Sequence, residues 1–279
     1  MNNIFNIKRF GLIFRKDILE NRKRYMLLFL TMLGVITLFI TFESLNYYSN
    51  ERNSDININL LKVISLLFGI FGIIFAATFM NPMNSKIKRM SYLINPSSNL
   101  EKFMTRWIIV TIGYIISFFI ALWIADILRV GICSARYPEI NVTFLDITKL
   151  ISSDETGVFF EYVFSKGLFM ALTAMFFLFQ SFFILGSTFW EKSTFVKTFS
   201  AGILILFSFV IICRFAILIF YGNFENFGNM LQSLMPTTNI DISKSKAVEI
   251  VTSVISVFTL FNWTLAYFRF RESEIIKRV

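Results

Sequence analysis

The sequence predicts an all-α integral membrane protein, with six transmembrane helices, an N-terminal interfacial amphipathic helix and both termini cytoplasmic. Three observations carry this. Of 279 residues, 56% are apolar and only 16% charged, against about 25% charged in an ordinary soluble domain. Six stretches are long and apolar enough to cross a hydrocarbon core of ~30 Å, which takes about 20 helical residues. The lysines and arginines fall unevenly between the segments joining those stretches. Alternating strands of about ten residues, the mark of a membrane barrel, are missing from the pattern.

The first 25 residues are amphipathic. Ile4, Ile7, Phe10, Phe14 and Ile18 recur at steps of three and four, among Lys8, Arg9, Arg15 and Lys16. This predicts a helix lying in the membrane interface before the chain turns into the bilayer. The alternative is a basic topogenic tail without structure. The first span, 26–48, begins far from the first residue and lacks a small-residue cleavage site, so it reads as a retained helix and not a signal peptide. The other spans are expected at 60–80, 107–128, 167–190, 199–221 and 247–268. Trp107, Trp123, Trp190, Tyr25, Tyr47 and Tyr48 lie near span ends, where amphipathic rings favour the headgroup level.

Orientation follows from charge. Eighteen lysines and arginines fall in the N-terminal segment, the second-to-third and fourth-to-fifth connections and the C-terminal tail, against eight on the opposite side. The first group is therefore expected in the cytoplasm. The net charge of +9 then belongs to a membrane face that attracts anionic lipid, and nucleic acid is not needed to explain it.

The connection 81–106 is the long cytoplasmic one. Ile87, Met90 and Leu93 step by three beside Lys86, Lys88 and Arg89. Asn95-Pro96 signals a turn. Ser98 and Glu101 have the spacing of a capping box, so a helix should start there and run through Trp107 into the membrane. The region reads as short helix, turn and protruding span, a shape suited to contacting a partner; a solvated basic loop is the other reading. On the outer side, 129–166 is polar and carries a second capping pair, Ser152 and Glu155. Segment 222–246 mixes apolar residues with Asn, Gln and Pro236 and suggests short helices dipping into the outer leaflet.

Few residues could carry chemistry. There is no histidine, which removes Ser-His-Asp and Cys-His catalysis and His-ligated metals. No Gly-Lys pair occurs, so the chain has no P-loop. No catalytic, cofactor-binding or metal-binding residue is assigned, and the chain is not expected to be an enzyme. Cys133 and Cys213 lie at or near apolar runs and read as small core residues. Arg214 is the one basic residue deep in a span and needs a partner or an escape to the headgroups. Asp126 and Glu249 are at plausible depths. A structural staple and a place in a translocation path both remain open for it. Gln180, Asn262 and Trp263 are polar or amphipathic positions inside spans, of a kind that more often bonds between helices than to substrate.

Arg15-Lys16-Asp17 followed by Glu20-Asn21-Arg22-Lys23-Arg24-Tyr25, and the stretch from Tyr92 to Phe103 with Arg106-Trp107, resemble bacterial ABC-2-type permease subunits. The likeness is clearest over residues 5–125. It implies that residues 4–20 form the elbow helix. Residues 83–94 would include a coupling helix that docks into a separate ABC ATPase subunit, with Lys86, Ile87, Lys88, Arg89, Met90, Tyr92 and Leu93 at the contact and Glu191 and Lys192 as a minor one. Two permease subunits, identical or not, and two ATPase subunits would assemble as an exporter in the bacterial cytoplasmic membrane. ATP and magnesium would bind in the partner, and no cofactor in this chain. The long segment 129–166 departs from the family pattern, so substrate class does not carry over. An ion-gradient-driven secondary transporter and a non-transporting membrane sensor or assembly protein are the alternatives.

Overall fold

A computed structural model describes residues 5–49, 56–83, 89, 90, 92, 94, 96–145, 166–190, 193–222 and 246–275. The expected capping pair at Ser152 and Glu155, nearly all of 222–246, and Lys86, Ile87, Lys88, Leu93, Glu191 and Lys192 lie outside the described residues.

Among the described residues the chain is helical and has no strand. Helix α1 (Ile7–Glu20) is capped by Asn6, whose Oδ1 accepts from the Lys8 and Arg9 amides. Helices α2 (Arg22–Ser49) and α3 (Ile56–Ala77) follow, and a 3-10 turn (Asn81–Met83) closes the end of α3. Helix α4 (Asn99–Ile108) passes through a π turn (Ile109–Gly113) into α5 (Tyr114–Arg136). Helices α6 (Lys166–Phe189), α7 (Thr194–Tyr221) and α8 (Lys246–Ile275) complete the bundle.

Among the described residues, six helices are long and apolar enough to cross a membrane. They match the expected spans in number and order, but most run longer. The largest difference is in the third. From Asn99 to Arg136 the chain is helical for 38 residues, roughly 57 Å at about 1.5 Å per residue. That exceeds a hydrocarbon core of ~30 Å, so this helix is longer than a crossing requires. Its uncharged stretch runs from Trp107 to Ala125. Charged turns extend it at both ends, which hydropathy alone reads as connections.

Two cores hold the bundle. In the first, Met32, Ile36 and Ile40 of α2 meet Leu60, Leu67 and Phe71 of α3 and Tyr114, Phe118 and Leu122 of α5. The second joins the end of α3 (Ala76, Ala77) and the turn after it (Phe79, Met80, Met83) to Phe103 of α4, Phe183 and Ile184 of α6, and Ala266 and Phe270 of α8. Helix α8 lies along α6, and α2 along α5. Helix α7 packs on α6 and touches α3, leaving most of its apolar surface exposed. Its approach to α6 requires Gly186, because a Cβ there would lie 2.2 Å from Thr198 Oγ1. Gly222 ends α7 with φ of 76°, a backbone geometry that costs glycine little.

Candidate functional site

The sequence-predicted capping box is present, and its residues do more than cap. Ser98 Oγ accepts from the Glu101 amide at 3.2 Å, and Glu101 Oε2 accepts from the Ser98 amide at 3.1 Å. Glu101 is fully buried. A buried carboxylate needs further donors, and α1 supplies them. The Arg9 guanidinium donates through Nε to Oε2 at 2.8 Å and through Nη2 to Oε1 at 2.8 Å. The Asn6 amide donates to Oε1 at 2.7 Å. The hydrogen bond to Glu101 also holds the Arg9 guanidinium above its ordinary pKa.

A second ion pair lies further along the same two helices. Arg106 Nη1 donates to Asp17 Oδ2 at 2.9 Å and to Tyr25 Oη at 2.6 Å, while the Tyr25 hydroxyl donates to Asp17 Oδ2 at 3.0 Å. Both charged side chains are nearly inaccessible, at 5% and 7%. Asn21 Nδ2 donates to Asp17 Oδ1 at 3.1 Å, so the residue between α1 and α2 joins the cluster. Thus α1, the start of α2 and α4 are tied by paired charges separated by 92 and 89 residues in sequence.

The connection from α3 to α4 packs against this unit. Arg89 Nη2 donates to the Met83 carbonyl at 3.1 Å. The Tyr92 hydroxyl donates to the Lys102 carbonyl at 3.2 Å, its ring lies under the Lys102 ammonium at 5.9 Å, and its edge meets Phe270 of α8. Met90 and Ile94 remain exposed, at 64% and 79%. Arg269 stacks over Phe189 at 4.9 Å. The ends of α3, α6 and α8 and the starts of α2, α4 and α7 therefore share one end of the bundle, and α1 packs there against α4.

The three intramembrane charges are not brought together. Arg214 is exposed on α7, and Glu249 is exposed in the first turn of α8. Asp126 faces a different partner: Arg129 Nε donates to its Oδ1 at 2.7 Å. Arg129, 2% exposed, also donates to Ser44 Oγ and to the Thr143 carbonyl, and Asp126 Oδ2 accepts from the Leu145 amide. This cluster fastens the end of the 137–145 stretch to α2 and α5. Sequence reading placed Arg129 in a polar connection because the end of α5 was not visible in the hydropathy. Deeper in the bundle, Gln180 Nε2 donates to the Val110 carbonyl in the π turn at 3.3 Å, and Asn262 Nδ2 donates to Ser181 Oγ at 3.1 Å. Both are interhelical bonds, as expected.

Sequence analysis missed the partners of Glu101 and Arg106. One signal was available. Asp17 is four residues from Ile13, and these are the two buried residues of α1. An acid on the packing face of a basic amphipathic helix implies a buried cation opposite it.

The fold and this site define the class: among the described residues the chain is helical, with six helices long and apolar enough to span a membrane, consistent with a multi-pass membrane protein. No family model matches the chain, nor does any curated protein or solved structure.

Proposed function

We propose that the chain is the membrane-spanning permease subunit of an ABC-2-type exporter in a bacterial cytoplasmic membrane, moved by a separate ATPase subunit. The observation that carries this reading is the paired-charge lock between α1 and α4. A span that continues past the bilayer, is capped at its tip and is tied to an amphipathic helix behaves as one stiff body. A push on its tip is then transmitted into the bundle instead of being absorbed by a loop. Met90 and Ile94 are exposed and in sequence adjoin the basic residues Lys86, Lys88 and Arg89, a combination of apolar and cationic character of the sort a partner protein grips. The sequence has no P-loop, so in this reading the nucleotide binds in the partner.

In this mechanism ATP binding in the partner displaces the 83–94 region, and α4 and α1 follow together. The two permease subunits then alternate between inward and outward openings. Charge reversal at Lys86, Lys88 and Arg89 tests the contact. The expected result is loss of ATPase co-purification and of coupled transport while the chain still accumulates in the membrane. Retention of both under full charge reversal contradicts the docking surface. Solute uptake by the purified chain alone, driven by an ion gradient, contradicts the function.

A further inference from the structure

We infer that the π turn between α4 and α5 is a swivel, with Gln180 of α6 as its latch. In a regular α-helix the Val110 carbonyl would accept from the amide four residues on. That amide, on Tyr114, donates instead to the Thr111 carbonyl, and the Val110 carbonyl accepts from Gln180 Nε2 at 3.3 Å. The Trp107 carbonyl likewise accepts from a side chain, the Thr111 hydroxyl. A donor from a neighbouring helix thus stands in for a backbone amide. Single π turns inside α-helices are rare and frequent at functional sites. Both flanks of this one are fixed. On the α4 side Arg106 pairs with Asp17, and the Trp107 ring meets Trp263 of α8 edge-on at 5.1 Å. On the α5 side the Tyr114 hydroxyl donates to the Phe68 carbonyl of α3. A change of register is therefore confined to the turn.

Two unpaired groups define the second position of the latch. Gln180 is fully buried, yet its Oε1 has no hydrogen-bond partner among the described residues. Trp263 Nε1 on α8 is buried without a partner there as well. The first is an acceptor and the second a donor. They are next in sequence to Ser181 and Asn262, which bond across α6 and α8 at 3.1 Å. The Trp263 ring also meets that of Phe177, three residues before Gln180, at 6.1 Å. A buried group left unpaired costs roughly 1–3 kcal/mol. Turning Gln180 toward Trp263 pairs both groups, releases the Val110 carbonyl to the Tyr114 amide and restores α geometry. A shift of one residue turns α4 against α5 by about 100° at 3.6 residues per turn, and α1 turns with α4 because paired charges tie them. Polar pairing favours the α register, and packing at the two flanks favours the π register. Opposed preferences of this kind make a two-state element.

The test is the distance between nitroxide labels at Met104 and Trp123, exposed positions on either side of the turn. It is measured by double electron–electron resonance on the full chain in lipid nanodiscs, with Cys133 and Cys213 replaced by alanine. No ATPase is added, so the outcome is independent of the proposed transport cycle. The expected result is two distance populations several ångströms apart. Gln180→Leu should leave only one of them. Trp263→Phe, which removes the second donor and keeps an aromatic ring, should enrich the other. A single distance in the parent chain would overturn the swivel. Two populations that Gln180→Leu leaves unchanged would overturn the latch. Two populations that Trp263→Phe leaves unchanged would overturn the indole as the second partner, and this variant gives that answer even where Gln180→Leu fails to accumulate.

Discussion

Asp17 and Arg106 set the energetics of the site. Each is almost wholly buried, and each is satisfied chiefly by the other and by Tyr25. Removing one partner of a buried pair leaves an uncompensated charge, at a cost of about 3–5 kcal/mol, whereas replacing both with apolar residues of similar volume is often neutral. Arg106→Met should therefore lower the thermal midpoint of the detergent-solubilised chain sharply. Adding Asp17→Leu to it should recover most of the loss. If the double variant is no more stable than the single, Asp17 is not the group left unpaired. The pair Arg9 and Glu101 differs, because the arginine is 36% exposed while the carboxylate is buried. Most of the penalty there falls on Glu101, whose loss also removes half of the capping box.

The elements show which physical signals were legible in the sequence and which were not. The capping box at Ser98 and Glu101 is a local pattern over four residues, and it was readable. So were the six apolar spans and the polar interhelical role of Gln180 and Asn262, since burial in a membrane leaves a compositional trace. Helix ends were less readable. Helix α5 runs on to Arg136 because Arg129 and Asp126 satisfy each other and hold the 137–145 stretch. Hydropathy counts such charges as loop. Partner choice across 89 or 92 residues was not readable either, because nothing in a linear pattern says which basic residue meets which acid. Packing of α7 on α6 is likewise a matter of shape. One visible mark is Gly186, where a Cβ would also lie 2.4 Å from Thr198 Cγ2. Gly186→Ala should cost about 1–3 kcal/mol by overpacking, read as a lower thermal midpoint. Thr198→Ala in the same chain should recover part of it. An unchanged midpoint for Gly186→Ala would mean that α7 does not depend on this contact.

At the scale of the whole molecule, the charge distribution and the fold agree. The connections rich in lysine and arginine border the end of the bundle where α1, α4 and the end of α8 meet. The opposite end is anchored by the internally neutralised pair of Arg129 and Asp126. Positive charge on one face and neutralised charge on the other is the asymmetry that orients a multi-pass chain. The proposed function reads the 38-residue helix, locked to α1, as a lever moved by a companion that supplies the energy. Purification from its own membrane in mild detergent tests this most directly. The expected result is that an ATPase subunit with a P-loop accompanies the chain, and that its ATP hydrolysis rises in the complex. A chain that emerges without any nucleotide-binding partner, and carries solute across sealed vesicles under an ion gradient alone, contradicts it.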